Sequence, residues 1–110
     1  MPWVYDPHSG GKKIPPKMQE EICKQVESFE RTRPWYPKIQ LKLRFKGQFC
    51  YVDTIEEGDD RLFPLCRLRN KPGGWGLALF TYGSERYQPC AFSDEGTIAD
   101  ALKISESFIT

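Results

Sequence analysis

The sequence predicts an α+β domain: an antiparallel β-meander of about five strands flanked by an N-terminal and a C-terminal α-helix. Three observations predict it. Met18, Ile22, Val26 and Phe29 recur at helical spacing between Lys17 and Arg31. From Ile39 the apolar period drops to two, and β-rich runs continue to Phe92 between turn-forming residues. After Thr97 the spacing returns to that of a helix.

Residues 1–16 carry Pro2, Pro7, Gly10, Gly11, Pro15 and Pro16, a density of breakers that reads as an irregular leader. Residues 17–110 form the single domain. Pro15 and Pro16 suit the first turn of the first helix, where a missing N–H costs nothing. Glu20, Glu21, Lys24, Glu27 and Glu30 are available for its solvent side, and Pro34 and Pro37 end it. The first strand alternates Ile39, Leu41, Leu43 and Phe45 with Gln40, Lys42, Arg44 and Lys46. Lys46-Gly47 then makes a two-residue hairpin turn, glycine supplying the positive φ. A second strand runs from Gln48 to Ile55, followed by an acidic loop. The third, Phe63 to Arg69, sets Cys66 and Leu68 on one face and Arg67 and Arg69 on the other. Asn70 to Gly74 is the next turn.

The fourth strand, Trp75 to Tyr82, is apolar on both faces, as a strand covered on both sides would be. Pro89 in the fifth, Arg86 to Phe92, suits an edge. Thr97 reads as an N-cap with Asp100 three residues on. Ile98, Ala101, Leu102, Ser105, Phe108 and Ile109 share one face of the last helix.

A chain of 110 residues has room for one core, and 39% hydrophobic with 28% charged residues is ordinary globular usage. The net charge is +1, so no overall field draws in nucleic acid or a membrane. The distribution is less even. Arg31, Arg33, Lys38, Lys42, Arg44 and Lys46 precede a loop holding Asp53, Glu56, Glu57, Asp59 and Asp60. No apolar run is long enough to span a bilayer, and the N-terminus lacks the basic start and apolar stretch of a signal peptide. The expected location is the cytoplasm, where Cys23, Cys50, Cys66 and Cys90 stay reduced.

The pieces Pro2-Trp3-Val4-Tyr5-Asp6-Pro7, Cys66-Arg67-Leu68-Arg69, Trp75-Gly76, Phe80-Thr81-Tyr82 and Glu85 to Phe92 resemble a group of short bacterial hypothetical proteins. The Arg-Pro after the first helix and the hairpin around Gly47 also resemble a bacterial domain-of-unknown-function family of helix–meander–helix order. The resemblance implies a bacterial single-domain protein. It brings no activity, substrate or catalytic residue.

Candidate chemistry is sparse. The four cysteines are spaced far wider than the CxxC knuckles of zinc sites, and dispersed cysteines behave as small core residues, so no metal is expected. The one histidine, His8, lies in the leader, away from any recognisable Cys–His pairing. Removal of Met1 would expose Pro2 as a secondary amine, the base of tautomerase-type enzymes, but the breaks at Pro7 and Gly10-Gly11 do not fit their long first strand. Glu56, Glu57, Asp59 and Asp60 depart from EF-hand spacing and read as a solvated turn. No catalytic residue and no cofactor is assigned.

The basic strands carry more. Lys42 and Arg44 share one side of the first strand, and Arg67 and Arg69 one side of the third. If the meander unites them, they can contact phosphates while Trp75, Tyr82 or Tyr87 stack on bases. The competing reading is a solvated face whose cations discourage edge pairing.

The expected function is a non-enzymatic protein-interaction module with an unknown protein partner. Nucleic-acid or anionic-polymer binding through Lys42, Arg44, Arg67, Arg69, Trp75 and Tyr82 is the alternative. A small enzyme using Pro2 or a cysteine stands third.

Overall fold

Strands that follow one another in the sequence lie beside one another in space, because each connection is a short turn. The structure is a computed structural model that describes residues 12–71, 74–90 and 97–109. Its elements are α1 (Pro16–Arg31), β1 (Ile39–Lys46), β2 (Phe49–Glu56), β3 (Phe63–Lys71), β4 (Gly74–Thr81), β5 (Arg86–Cys90) and α2 (Ile98–Glu106). The sheet is antiparallel throughout, in the order β1-β2-β3-β4-β5. The expected α+β meander with one helix on each side in sequence is therefore observed. The irregular leader expected over residues 1–16 lies mostly outside the described residues, and so do Pro2 and His8.

Both helices pack on one face of the sheet. Ile22 and Val26 of α1 and Ile98, Ala101 and Leu102 of α2 bury against Leu41, Cys50, Val52, Cys66, Leu68 and Leu77. Ile14, just ahead of α1, joins this core at 1% exposure. Its N–H donates to the Gly47 carbonyl at 2.9 Å, which ties the entry to α1 onto the first hairpin. At the far end, Arg33 forms an ion pair with Glu106 at 2.7 Å, joining the last turn of α2 to the segment after α1. Thr97 and Asp100 form the expected capping box at the start of α2.

β1 is an edge strand, and its outward N–H groups need partners. The Ile39 amide donates to the Trp35 carbonyl at 2.8 Å, and the Leu41 amide to Glu30 Oε2 at 2.9 Å. Glu30 sits in the last turn of α1, where the helix dipole disfavours a carboxylate. Its 8% exposure and its bond to Leu41 explain why it is there.

Several expectations shift: Glu30, expected on the solvent side of α1, is buried, and β3 runs on through Asn70 and Lys71 into the expected turn, Lys71 pairing with Gly74. The hairpin turn is Gly47-Gln48, with Lys46 paired to Phe49; Gly47 supplies the positive φ, +59°. The last helix ends at Glu106. Phe108 and Ile109 then donate to the carbonyls three residues back, a tighter winding that leaves Phe108 63% exposed and off the shared face. And β4 has a described helix on one face only, so its second apolar face is closed among the described residues in another way.

Replacing Glu30 with Ala leaves the Leu41 amide unpaired and should destabilise the fold by about 1–3 kcal/mol. Glu30→Gln, which keeps an acceptor, should retain most of that stability. Urea unfolding of the two variants checks this, and an unaltered midpoint for Glu30→Ala would contradict it.

Candidate functional site

The pleat sends alternate residues to the face without helices, and register decides which of them meet. Arg44 of β1 opposes Tyr51 of β2, which opposes Arg67 of β3, which opposes Ala78 of β4. In the next row Lys46 opposes Phe49, then Arg69, then Gly76. Each row thus runs cation, ring, arginine, small residue. Lys42 is on the same face, opposite Asp53, and the Lys71 stem lies over Gly76, where an added Cβ would come within 3.3 Å of it. Phe80 and Tyr87 pair on the far strands.

Contacts between these side chains build the surface. The Arg44 guanidinium lies over the Tyr51 ring, 4.8 Å from its centroid. Arg67 lies over Phe49 at 4.4 Å and near Tyr87 at 5.4 Å. Tyr87 meets Tyr51 and Phe80 edge-on, with centroids 5.4 and 5.1 Å apart, and Phe80 meets Tyr82 at 4.9 Å. An energetically significant cation–π contact occurs about once per 70–80 residues in ordinary proteins, so their concentration here marks the face. The small residues opposite the arginines leave room for the long side chains to lie down. Ala78 and Phe49 are buried at 5% and 7% exposure although no described helix covers them. This is how the second apolar face of β4 is closed.

One carboxylate belongs to this face. Asp53 keeps the regular β1–β2 alternation, opposite Lys42 and diagonally across from Arg44; the β2–β3 register shifts beside it, where Leu65 is the extra residue on β3. Asp53 is 2% exposed, its Oδ2 accepts from Arg44 Nε at 2.9 Å, and its Oδ1 has no partner among the described residues. That hydrogen bond raises the Arg44 pKa, so the guanidinium is always charged. Burial raises the Tyr87 and Tyr82 phenols above their ordinary value, and both stay neutral donors at physiological pH. Tyr82 Oη donates to the Pro64 carbonyl at 2.8 Å, which holds a ring that is 60% exposed. Arg69 Nε donates to Gln48 Oε1 at 2.8 Å.

The sequence-level candidates divide. Lys42, Arg44, Arg67 and Arg69 come together on one face, and Tyr82 stands at its rim beside Phe80. Trp75 does not join them: it opposes Asn70 on the helix side and packs against the core. Parity explains it, since Trp75 is one residue out of phase with Gly76, the partner of Arg69. Phe49, Tyr51 and Asp53 were not among the candidates. Alternation from Arg44 across the hairpin would have found them, given the correct turn.

Two of the cysteines, Cys50 and Cys66, are core residues, and Cys23 is half-buried. Cys50 and Cys66 are 0% exposed on the helix side, and burial pushes both thiols from 9.0 up to about 12. Burial first, then Glu27 and Glu20, raises Cys23. No group of His, Cys, Asp and Glu among the described residues is placed to hold a metal. No helix among them is long and apolar enough to cross a membrane. No family model, curated protein or solved structure matches the chain.

The thiol shifts have a sign. A folded-state pKa above the unfolded one contributes stability that is present below about pH 9 and lost as pH rises toward about 12. Stability should therefore decline in that alkaline window, less so in a Cys50→Ala variant relative to its own neutral value. At pH 8 iodoacetamide should leave Cys50 and Cys66 unmodified until the protein unfolds, as read by mass spectrometry of the alkylated peptides.

Proposed function

We propose that this protein is a small non-enzymatic binding module that takes single-stranded nucleic acid on the helix-free face of its sheet. The observation that carries the reading is the pair of rows in which arginines and aromatic rings alternate across neighbouring strands. Guanidinium groups suit phosphate oxygens, and rings and guanidinium planes suit unpaired bases. A duplex hides its bases, so a sheet face of this kind favours single strands.

Charge segregation supports it. Lys42, Arg44, Lys46, Arg67, Arg69 and Lys71 share this face with Asp53 alone among the carboxylates of the described strands. Glu20, Glu21 and Glu27 lie exposed on α1 in the other layer, Glu56 at the end of β2, and Glu57 and Asp60 in the β2–β3 loop. The net charge of +1 therefore hides a locally basic surface. Motif resemblance and reduced, buried thiols support a bacterial cytoplasmic setting.

A protein partner is the second reading, since Arg and Tyr also dominate protein hot spots. It ranks behind because its warrant at the sequence level was the lack of a catalytic motif, whereas the rows have a specific chemistry. A cysteine nucleophile loses its support with Cys50 and Cys66 buried as thiols.

Fluorescence titration with short single-stranded RNA and DNA at low salt tests the reading. Four phosphate contacts give a log–log salt slope of about −3, at about 0.7 per contact. Replacing Arg67 and Arg69 by Ala should weaken binding and flatten the slope by about one to two units. Those substitutions also remove ring contacts worth about 0.5–1 kcal/mol each, so binding is compared below the lowered melting temperature. Tyr82→Ala should cost about 1–3 kcal/mol of affinity, the worth of one base stack. No binding at low salt, or binding indifferent to the double substitution, would remove this face.

A further inference from the structure

An acid on a surface that attracts anions should weaken it, and Asp53 is such an acid. Its geometry argues the reverse. Arg44 bonds Asp53 through Nε, the side edge of the guanidinium, at 2.9 Å. The two Nη groups at the end of the fork have no partner among the described residues. The plane of the group rests on Tyr51. Two of the three surfaces of the guanidinium are thus fixed, and the third points to a side chain surface that is 55% exposed. That third surface is the one that grips two phosphate oxygens at once.

The carboxylate is bound to this task from its own side. Asp53 is 2% exposed, its Oδ1 has no partner among the described residues, and Arg44 is the cation hydrogen-bonded to its Oδ2. A buried carboxylate cannot release the cation hydrogen-bonded to it cheaply. Asp53 therefore holds Arg44 in place more firmly than an exposed ion pair would. The regular β1–β2 register sets the carboxylate diagonally across from Arg44, since Asp53 opposes Lys42 and Tyr51 opposes Arg44.

We propose that Arg44, clamped by Asp53 and Tyr51, is a preformed phosphodiester-binding fork, and that Asp53 is a positioning residue that strengthens anion binding although it is itself negative. The inference rests on the nucleic-acid reading of this face and names the residue pair that grips its backbone.

The test is a sign. If Asp53 acts only through its charge, Asp53→Asn removes a repulsive carboxylate and tightens binding of a short oligouridylate. If it positions Arg44, the same substitution weakens binding by roughly two- to tenfold, the range expected from freeing one rotamer-rich side chain. Arg44→Lys keeps the charge, sits at an exposed position and loses the fork. It should weaken binding to a similar extent, and it decides the matter where Asp53→Asn fails to show a native melting transition. Glu56→Gln, neutralising an exposed carboxylate away from the pair, should leave binding unchanged or slightly tighter. Tighter or unaltered binding by folded Asp53→Asn, or an Arg44→Lys protein that binds like the wild type, overturns the proposal. A wild-type protein that binds no oligonucleotide at low salt overturns the preceding reading, and this one with it.

Discussion

The structure depends on an imbalance of layers: a five-stranded sheet has two faces, and both helices lie on one. Leu41, Cys50, Val52, Cys66, Leu68 and Leu77 bury against α1 and α2 in the ordinary way. Among the described residues, the second face excludes water with its own side chains. Phe49, Tyr51, Phe80 and Tyr87 supply the apolar area, and the stems and planes of Arg44 and Arg67 cover them. Arginine can do this because its guanidinium is weakly hydrated and lies flat on a ring. A face closed in this way is basic by construction.

That closure accounts for the small residues opposite the arginines. A long side chain that lies across the sheet needs a low neighbour on the next strand. Ala78 opposes Arg67 and Gly76 opposes Arg69. A Cβ at Gly76 would come within 3.3 Å of the Lys71 stem, so a bulkier residue there would lift the cation away from the sheet. Asp53 belongs to the same economy of space. It sits beside the point where the β2–β3 register shifts, Leu65 being the extra residue on β3, and its charge is answered by Arg44 on β1.

Much of the fold was legible because its determinants are local. Period and capping placed α1, β1 and α2, and the turn residues separated the strands, although the borders at Lys46 and at Asn70-Lys71 moved. The exceptions are instructive. Phe108 keeps the helical phase in the sequence, but the winding tightens after Glu106, and period cannot report that change. β4 looked like a strand covered on both sides because apolar composition does not say what the cover is. Lys42, Arg44, Arg67 and Arg69 were readable as sharing faces pairwise, since alternation within a strand is local. Their union across strands was not, because register depends on turns. A hairpin turn displaced by one residue, Lys46-Gly47 in place of Gly47-Gln48, is enough to hide that Tyr51 stands between Arg44 and Arg67.

Stability and binding on this face need not compete, and the reason is the shape of the guanidinium. Its contact with a ring uses the plane, whereas its hydrogen bonds leave from the edge. Arg44 can stay stacked on Tyr51 and bonded to Asp53 while the end of its fork takes a phosphate. A lysine could not divide its contacts in this way, since one ammonium must serve the ring, the acid and the ligand together. The same separation limits where bases can go. The ring faces under Arg44 and Arg67 are occupied, so a base must use a guanidinium plane from outside or the exposed ring of Tyr82, which the Pro64 carbonyl and Phe80 hold in place. Backbone contacts at the arginine rows and stacking at the Tyr82 rim are therefore spatially distinct, and a strand that satisfies both must cross the sheet from β1 toward β4.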